Sequence, residues 1–283
     1  MTDVTPSDLA LQALMVAKEA GQMLKEFRNQ PSNMGIPPAK LGRRADLAAD
    51  ALLRQKLCEY PYVSEHTQPQ PSTWPTGRFW LVDPLDGTNE YAQGLNEYAV
   101  HVALMDGDSV VAAAVYCPEI SSPELKGHPE NKHWAPMHAL GGVQHLNWGR
   151  PWEKRLVLTS RSRPATSAFQ VAKALRADVQ TFGSVGYKVV SVVEYYALAY
   201  IHEGDLNAWD VAAPAKLAES RGLCVTDLRG RPLRFNQPDL KLRDGLIVCW
   251  PADLQTILHA VSAARGSCND VHGGARASCG APA

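Results

Sequence analysis

Trp80-Leu81-Val82-Asp83-Pro84-Leu85-Asp86-Gly87-Thr88-Asn89-Glu90-Tyr91 is the stretch that decides how this chain folds. With Phe79 it opens on an apolar run of the kind a short buried strand shows. Asp83 and Asp86 follow, with Pro84 between them. Pro84 fixes its own φ and lacks an N–H, so the strand is expected to stop there and turn. Gly87 permits close backbone approach, and Thr88 can cap a following helix. A strand end then carries two acids beside a run of main-chain N–H groups. The acids suit a hard cation such as Mg²⁺, which takes oxygen ligands and shares them with phosphate. The N–H groups suit the phosphate itself. An ordinary Asp-Gly turn would also produce Asp86-Gly87, but the whole string is harder to obtain that way.

The surrounding composition narrows the function. The 283 residues are 45% hydrophobic and 20% charged, which supplies cores for about two domains. A net charge of -1 gives no basic field for nucleic acid, so phosphate must be held by local groups and metal. Residues 1–7 are polar and acidic, which argues against a signal peptide. No stretch approaches the ~20 apolar residues of a membrane span. The six cysteines form no Cys-x-x-Cys pair, so zinc and redox motifs are unsupported and a cytoplasmic location is expected.

Upstream of the central stretch, residues 8–28 read as a helix capped by Ser7 or Asp8, and 29–38 as a loop. A second helix is expected over 45–59, with Asp46 at its start, where an N-cap role and a functional role are both open. Glu65 and His66 close a short strand, and 69–75 reads as a loop. Downstream, 98–105 and 109–115 read as a hairpin turning at Asp106-Gly107. Residues 117–150 are polar; His128, His133, His138 and His145 are too loosely spaced for zinc and read as surface histidines, and Gly141 to Val143 as a returning strand. The boundary falls near Pro151, giving an N-terminal lobe 1–150 and a C-terminal lobe 151–265.

In the second lobe, Leu156 to Thr159 reads as a strand, Ser160-Arg161-Ser162-Arg163-Pro164 as a loop, and 165–177 as a helix. Gly183-Ser184 supplies donors and a cap for a long helix reaching Ile201, with Lys188 one turn in, either solvated or facing an anion. Asp210 reads as the N-cap of a helix to Arg221. Strands over 223–226 and 246–249, a turn at Arg229-Gly230, a last helix over 252–264 and a disordered tail over 266–283 complete the chain.

Asp83-Pro84-Leu85-Asp86-Gly87-Thr88, together with Trp209-Asp210-Val211-Ala212-Ala213-Pro214, resembles the signatures of the inositol monophosphatase superfamily. The likeness runs from about Leu9 to Ile257. It implies a mixed α+β fold, the layered αβαβα sandwich of inositol monophosphatase and fructose-1,6-bisphosphatase. It implies a hydrolase using two or three Mg²⁺ ions, with Glu65, Asp83 and the Leu85 carbonyl at one metal and Asp83, Asp86 and Asp210 at the next. Thr88, backed by Asp46, would orient and help deprotonate a water, and the Gly87 and Thr88 amides would bind phosphate. Two departures stand out: His66 replaces a usual second glutamate, and Leu41-Gly42-Arg43-Arg44-Ala45-Asp46 replaces a Thr/Ser-x-Ala-Asp run.

Ser160-Arg161-Ser162 is similar to the Ser-Arg-Ser of the bacterial CysQ group of 3′(2′),5′-bisphosphate nucleotidases. That group implies a phosphate-binding Lys188 near Ser184 and hydrolysis of adenosine 3′,5′-bisphosphate to AMP. Glu203 matches a sugar-binding glutamate of inositol monophosphatases and points toward inositol-1-phosphate; fructose-1,6-bisphosphate is a further alternative. A non-catalytic phospholigand-binding relative is the reading outside enzymes. The expected partner is a small phosphorylated metabolite, with no nucleic acid polymer and no membrane, and a homodimer is left open.

Overall fold

A computed structural model of the protein describes residues 5–67, 75–119, 133–134, 155–194, 197–235 and 239–271. The returning strand expected at Gly141, His128, His138, His145 and the boundary at Pro151 lie outside the described residues.

The first helix, α1 (Pro6–Asn29), is capped by Thr5: its hydroxyl accepts the Asp8 N–H, and the Asp8 carboxylate accepts the Thr5 N–H. The cap therefore precedes Ser7 and Asp8. α2 (Pro38–Lys56) starts on a proline, whose missing N–H costs nothing in the first turn. It begins well before Ala45, so Asp46 is a buried mid-helix residue and not an N-cap. β1 (Tyr62–Ser64), β2 (Arg78–Asp86), α3 (Thr88–Ala92), β3 (Ala99–Asp106), β4 (Ser109–Tyr116) and β5 (His133–Trp134) follow. The strands form one sheet in the order β1-β2-β3-β4-β5, with β1 parallel to β2 and the other pairs antiparallel. Pro84 does not end β2. Asp83 faces His101 and Asp86 faces Ala99, so a bulge absorbs the extra residue where proline cannot donate. Nor does Thr88 cap α3: Gly87 does, at φ 91, a left-handed conformation that glycine adopts without strain.

The second half begins with β6 (Leu156–Ser160), α4 (Thr166–Leu175), β7 (Asp178–Phe182), α5 (Val185–Val193) and β8 (Ala199–His202). β9 (Leu206–Asn207), α6 (Ala208–Ser220), β10 (Cys224–Thr226), β11 (Lys241–Leu242), β12 (Leu246–Cys249) and α7 (Leu254–Val271) complete it. The second sheet has the order β10-β12-β8-β6-β7, and β9 pairs with β11 apart from it. The helix expected to reach Ile201 ends at Val193, and β8 takes the central place in the sheet. Asn207, not Asp210, is the N-cap of α6; Asp210 stands three residues in and closes a reciprocal box with it. α7 continues past Gly266 to Val271, into the segment that the sequence marked as a tail. No helix among the described residues is long and apolar enough to cross a membrane.

Strand alternation assigns each sheet face to a different layer. Trp80 and Val82 pack with α1 and α2, while Phe79 and Leu81 face α5 and α6. Leu158, Tyr200 and Val248 of the second sheet close on α5 and α6 from the far side. Val157, Ile201 and Ile247 pack on α4 and α7. The result is five layers, α1/α2, first sheet, α5/α6, second sheet, α4/α7, with all first-sheet strands drawn from before the expected boundary and all second-sheet strands from after it.

The start of α5 lies hard against the first sheet. A Cβ at Gly186 would meet His101 Nε2 at 2.1 Å and Val115 Cγ1 at 3.0 Å, and both residues are wholly buried. Gly186→Ala should therefore lower the melting temperature by several degrees, although alanine favours a helix interior by about 1 kcal/mol. A thermal melt decides the sign; an unchanged or raised temperature would show that the two layers are not in contact there.

Candidate active site

The ends of β1 and β2, the start of α3 and the first turns of α5 and α6 bring the predicted acids together. Asp83 is 4% exposed, and its Oδ1 accepts the Leu85 N–H at 3.1 Å. Burial pushes its carboxyl well above the usual range, and Asp86, Glu65, Asp210 and Asp46 push it further in the same direction. Glu65 is raised to about 7, first by burial and then by Asp46. Asp210 is raised to about 7, by burial and by Asp86, against the Asn207 main-chain N–H that its Oδ2 accepts at 2.8 Å. Asp83 thus lies within electrostatic reach of the four other acids, and Asp210 within reach of Asp86 and Glu65. Their oxygens and the Leu85 carbonyl are hard donors, the set a divalent ion such as Mg²⁺ or Ca²⁺ takes.

Asp86 is the joint between the two halves. Its Oδ2 accepts Ser184 Oγ–H at 2.6 Å and Gly186 N–H at 2.9 Å, with His101 Nε2 at 3.3 Å. A carboxylate at the start of α5 also gains from the helix dipole. With Oδ2 so occupied, Oδ1 is the oxygen left for a cation. Ser184 caps α5 as expected, since its Oγ accepts the Tyr187 N–H at 2.9 Å, but its hydroxyl proton goes to Asp86.

Thr88 Oγ1 donates to the Leu85 carbonyl at 2.9 Å and lies beside Asp46. Asp46 is raised to about 7 by burial, opposed by Glu65 and Thr88 and reinforced by Asp50. His66 Nε2 stands 3.1 Å from Asp46 Oδ1 and 3.7 Å from Glu65 Oε1, and these three residues form a group able to hold a metal ion.

Two residues expected at the substrate have other partners. Lys188 is 1% exposed, and its ammonium donates to the carbonyls of Gly183, Ser184 (2.7 Å) and Phe182 (3.4 Å), over the Tyr200 ring. Burial lowers its pKa to about 8. Three donors on three carbonyls leave none for a phosphate. Glu203 accepts the Thr166 N–H at 2.9 Å and the Ser167 N–H at 3.0 Å, holding the first turn of α4. Arg161 is also engaged, with both oxygens of Glu97. Arg163, in the same loop, is exposed, makes no ion pair or hydrogen bond among the described residues, and its charge opposes that of Asp86 and Asp210 at Tyr200.

The sequence reading passed over His101 and Glu97. A lone histidine in a strand carries no signal until Asp86 is found opposite it. Glu97, which also accepts the Gly183 N–H at 2.9 Å, could be suspected only from its place between the signature and the hairpin.

Comparison with known proteins identifies the family. The model of the inositol monophosphatase family matches residues 8–265. A Mycobacterium leprae protein named 3′-phosphoadenosine 5′-phosphate phosphatase is 32% identical over 270 residues, covering 90% of this chain and 93% of that protein. The Escherichia coli K12 3′(2′),5′-bisphosphate nucleotidase CysQ is 30% identical over 212 residues, 72% of this chain and 83% of that protein. The crystal structure of CysQ from Bacteroides thetaiotaomicron, 21% identical, shares the fold with a TM-score of 0.67 over 86% of this chain and 97% of that one. The family model covers residues 8–265 and the Mycobacterium leprae relative 90% of the chain, and the chain belongs to the inositol monophosphatase family.

Proposed function

We propose that this protein is a Mg²⁺-dependent phosphatase that removes the 3′-phosphate of adenosine 3′,5′-bisphosphate to leave AMP. The observation that carries the hydrolytic reading is a set of buried hard-oxygen acids in which Asp86 presses on Glu65, Asp83 and Asp210, and Glu65 presses on Asp83 and Asp210, a set whose charge asks for cations. Glu65, Asp83 and the Leu85 carbonyl would hold one Mg²⁺, and Asp83, Asp86 and Asp210 a second. Bound there, Mg²⁺ supplies charge neutralisation for the phosphoryl oxygens and lowers the pKa of water. Thr88 would accept a hydrogen bond from the attacking water through its free lone pairs. The hydroxyl's own proton has two acceptors at hand, the Leu85 carbonyl and Asp46. The Gly87 and Thr88 amides, at the start of α3, would meet the phosphate.

The relatives named above favour the bisphosphate. Lys188 is committed to three carbonyls, so we assign the second phosphate to Arg163, whose guanidinium can grip two phosphate oxygens at once. Glu203, held by the α4 amides, no longer opposes a second phosphate as a free carboxylate would. The competing substrate, inositol-1-phosphate, has no second phosphate and no use for Arg163.

Asp83→Asn and Asp210→Asn should each abolish nearly all phosphate release. Removing one buried like charge should also leave the metal-free protein at least as stable as wild type by thermal melt. Turnover near wild type at saturating Mg²⁺ would overturn the metal reading. Arg163→Ala should lower kcat/KM for adenosine 3′,5′-bisphosphate about ten-fold or more, the effect of one charge-assisted contact, and leave inositol-1-phosphate nearly untouched. An equal fall for both, or a wild-type preference for inositol-1-phosphate, would replace the nucleotidase reading with the monophosphatase one.

A further inference from the structure

His66 departs from the all-oxygen chemistry around it. The turn that carries it is fixed: Ser64 Oγ accepts the His66 N–H at 3.2 Å and donates to Asp50 Oδ1 at 2.6 Å. Asp50 lies one helical turn beyond Asp46 on the same face of α2, so the bond that holds the turn also sets His66 against Asp46. The ligand atoms of Asp46, Glu65 and His66 all lie within 4.8 Å of one another. Asp46 is 5% exposed, yet its Oδ1 is buried without a hydrogen-bond partner. His66 Nε2, 3.1 Å from it, is within range but outside hydrogen-bond geometry. Two donors bound to one ion at about 2.0–2.2 Å stand roughly 3.0–3.5 Å apart, which is the relation of this nitrogen and this oxygen.

We propose that Asp46, Glu65 and His66 form a mixed nitrogen–oxygen position for a borderline first-row ion of the Zn²⁺ class, beside the carboxylates that would take Mg²⁺. Imidazole nitrogen suits Zn²⁺ and its neighbours, whereas Mg²⁺ seeks oxygen and holds its waters. The position meets the orphaned Asp46 oxygen and gives the exchange of glutamate for His66 a chemical purpose. It shares Glu65 with the proposed Mg²⁺ cluster, but it does not depend on which phosphate ester is cleaved.

The test uses the metal-free full-length protein in excess Mg²⁺. Zn²⁺ affinity is measured by calorimetry, and Co²⁺ serves as the probe in proton NMR, where a ligating histidine gives a hyperfine-shifted exchangeable ring N–H. Wild type should bind Zn²⁺ at least ten-fold tighter than His66→Glu and show one shifted N–H that the variant lacks. Should His66→Glu lose its fold by thermal melt, His66→Gln carries the same comparison. Equal Zn²⁺ affinity, no shifted N–H in wild type, or a signal that persists in the variant, as ligation by His101 beside Asp86 would give, overturns the proposal. Loss of Mg²⁺-dependent phosphate release alone would count against the phosphatase reading and leave the Zn²⁺ result standing.

Discussion

Like charges held together out of water are the constraint on which this structure turns. Glu65, Asp83 and Asp210 are each pushed toward neutrality first by burial and then by neighbouring acids: Glu65 by Asp46 and Asp86, Asp83 by Asp86, Glu65, Asp210 and Asp46, and Asp210 by Asp86 and Glu65. A cluster of that kind opposes folding unless neighbouring dipoles or cations offset it. The chain supplies part of the offset itself. Asp86 is met by the Ser184 hydroxyl and the Gly186 amide, Asp210 by the Asn207 amide, and Asp83 by the Leu85 amide. Each of those donors meets one carboxylate oxygen, and in the function proposed above the other oxygens would take the cations.

The five-layer arrangement exists to hold these donors still. Asp83 and Asp86 ride on a strand whose faces are clamped between α1/α2 and α5/α6. Ser184 and Gly186, the partners of Asp86, come from the start of α5, which packs between the two sheets. Gly186 is what allows the approach, because any Cβ there would strike His101. Arg161 and Glu97 make a second tie across the same seam, and Glu97 also holds the Gly183 amide. Two independent bonds between the halves resist a rotation that one bond would permit.

Much of the acid set was legible because its chemistry is local. Asp83, Pro84, Asp86, Gly87 and Thr88 are neighbours in sequence, and Asp210 sits in a second compact signature. What was not legible depended on partners distant in the chain. The stretch from Val185 to Ile201 is mostly apolar, with only single polar residues at Lys188, Ser191 and Glu194, so the end of α5 and the start of β8 do not show in periodicity. Asp46 looked like a cap because Pro38, the true start of α2, reads equally well as the end of a loop. Pro84 looked like a stop because a bulge is a property of the pair of strands and not of either sequence.

Lys188 shows how far a resemblance carries when burial is unknown. A lysine one turn into a helix beside a phosphate site suggests a cation for the substrate. An ammonium serves an anion only while it keeps donors to spare, and this one spends them on three carbonyls at the Phe182–Ser184 turn. Its position is still informative. The turn it braces carries the Ser184 hydroxyl and leads to the Gly186 amide, the two groups that hold Asp86. A charge placed under that turn acts on the acid cluster through geometry, and the long-range attraction of Lys188 by Asp86 works in the same direction. Such a lysine supports the turn whatever ester is cleaved, and under the proposed function substrate choice would fall to the exposed loop after β6, where Arg163 makes no ion pair or hydrogen bond among the described residues.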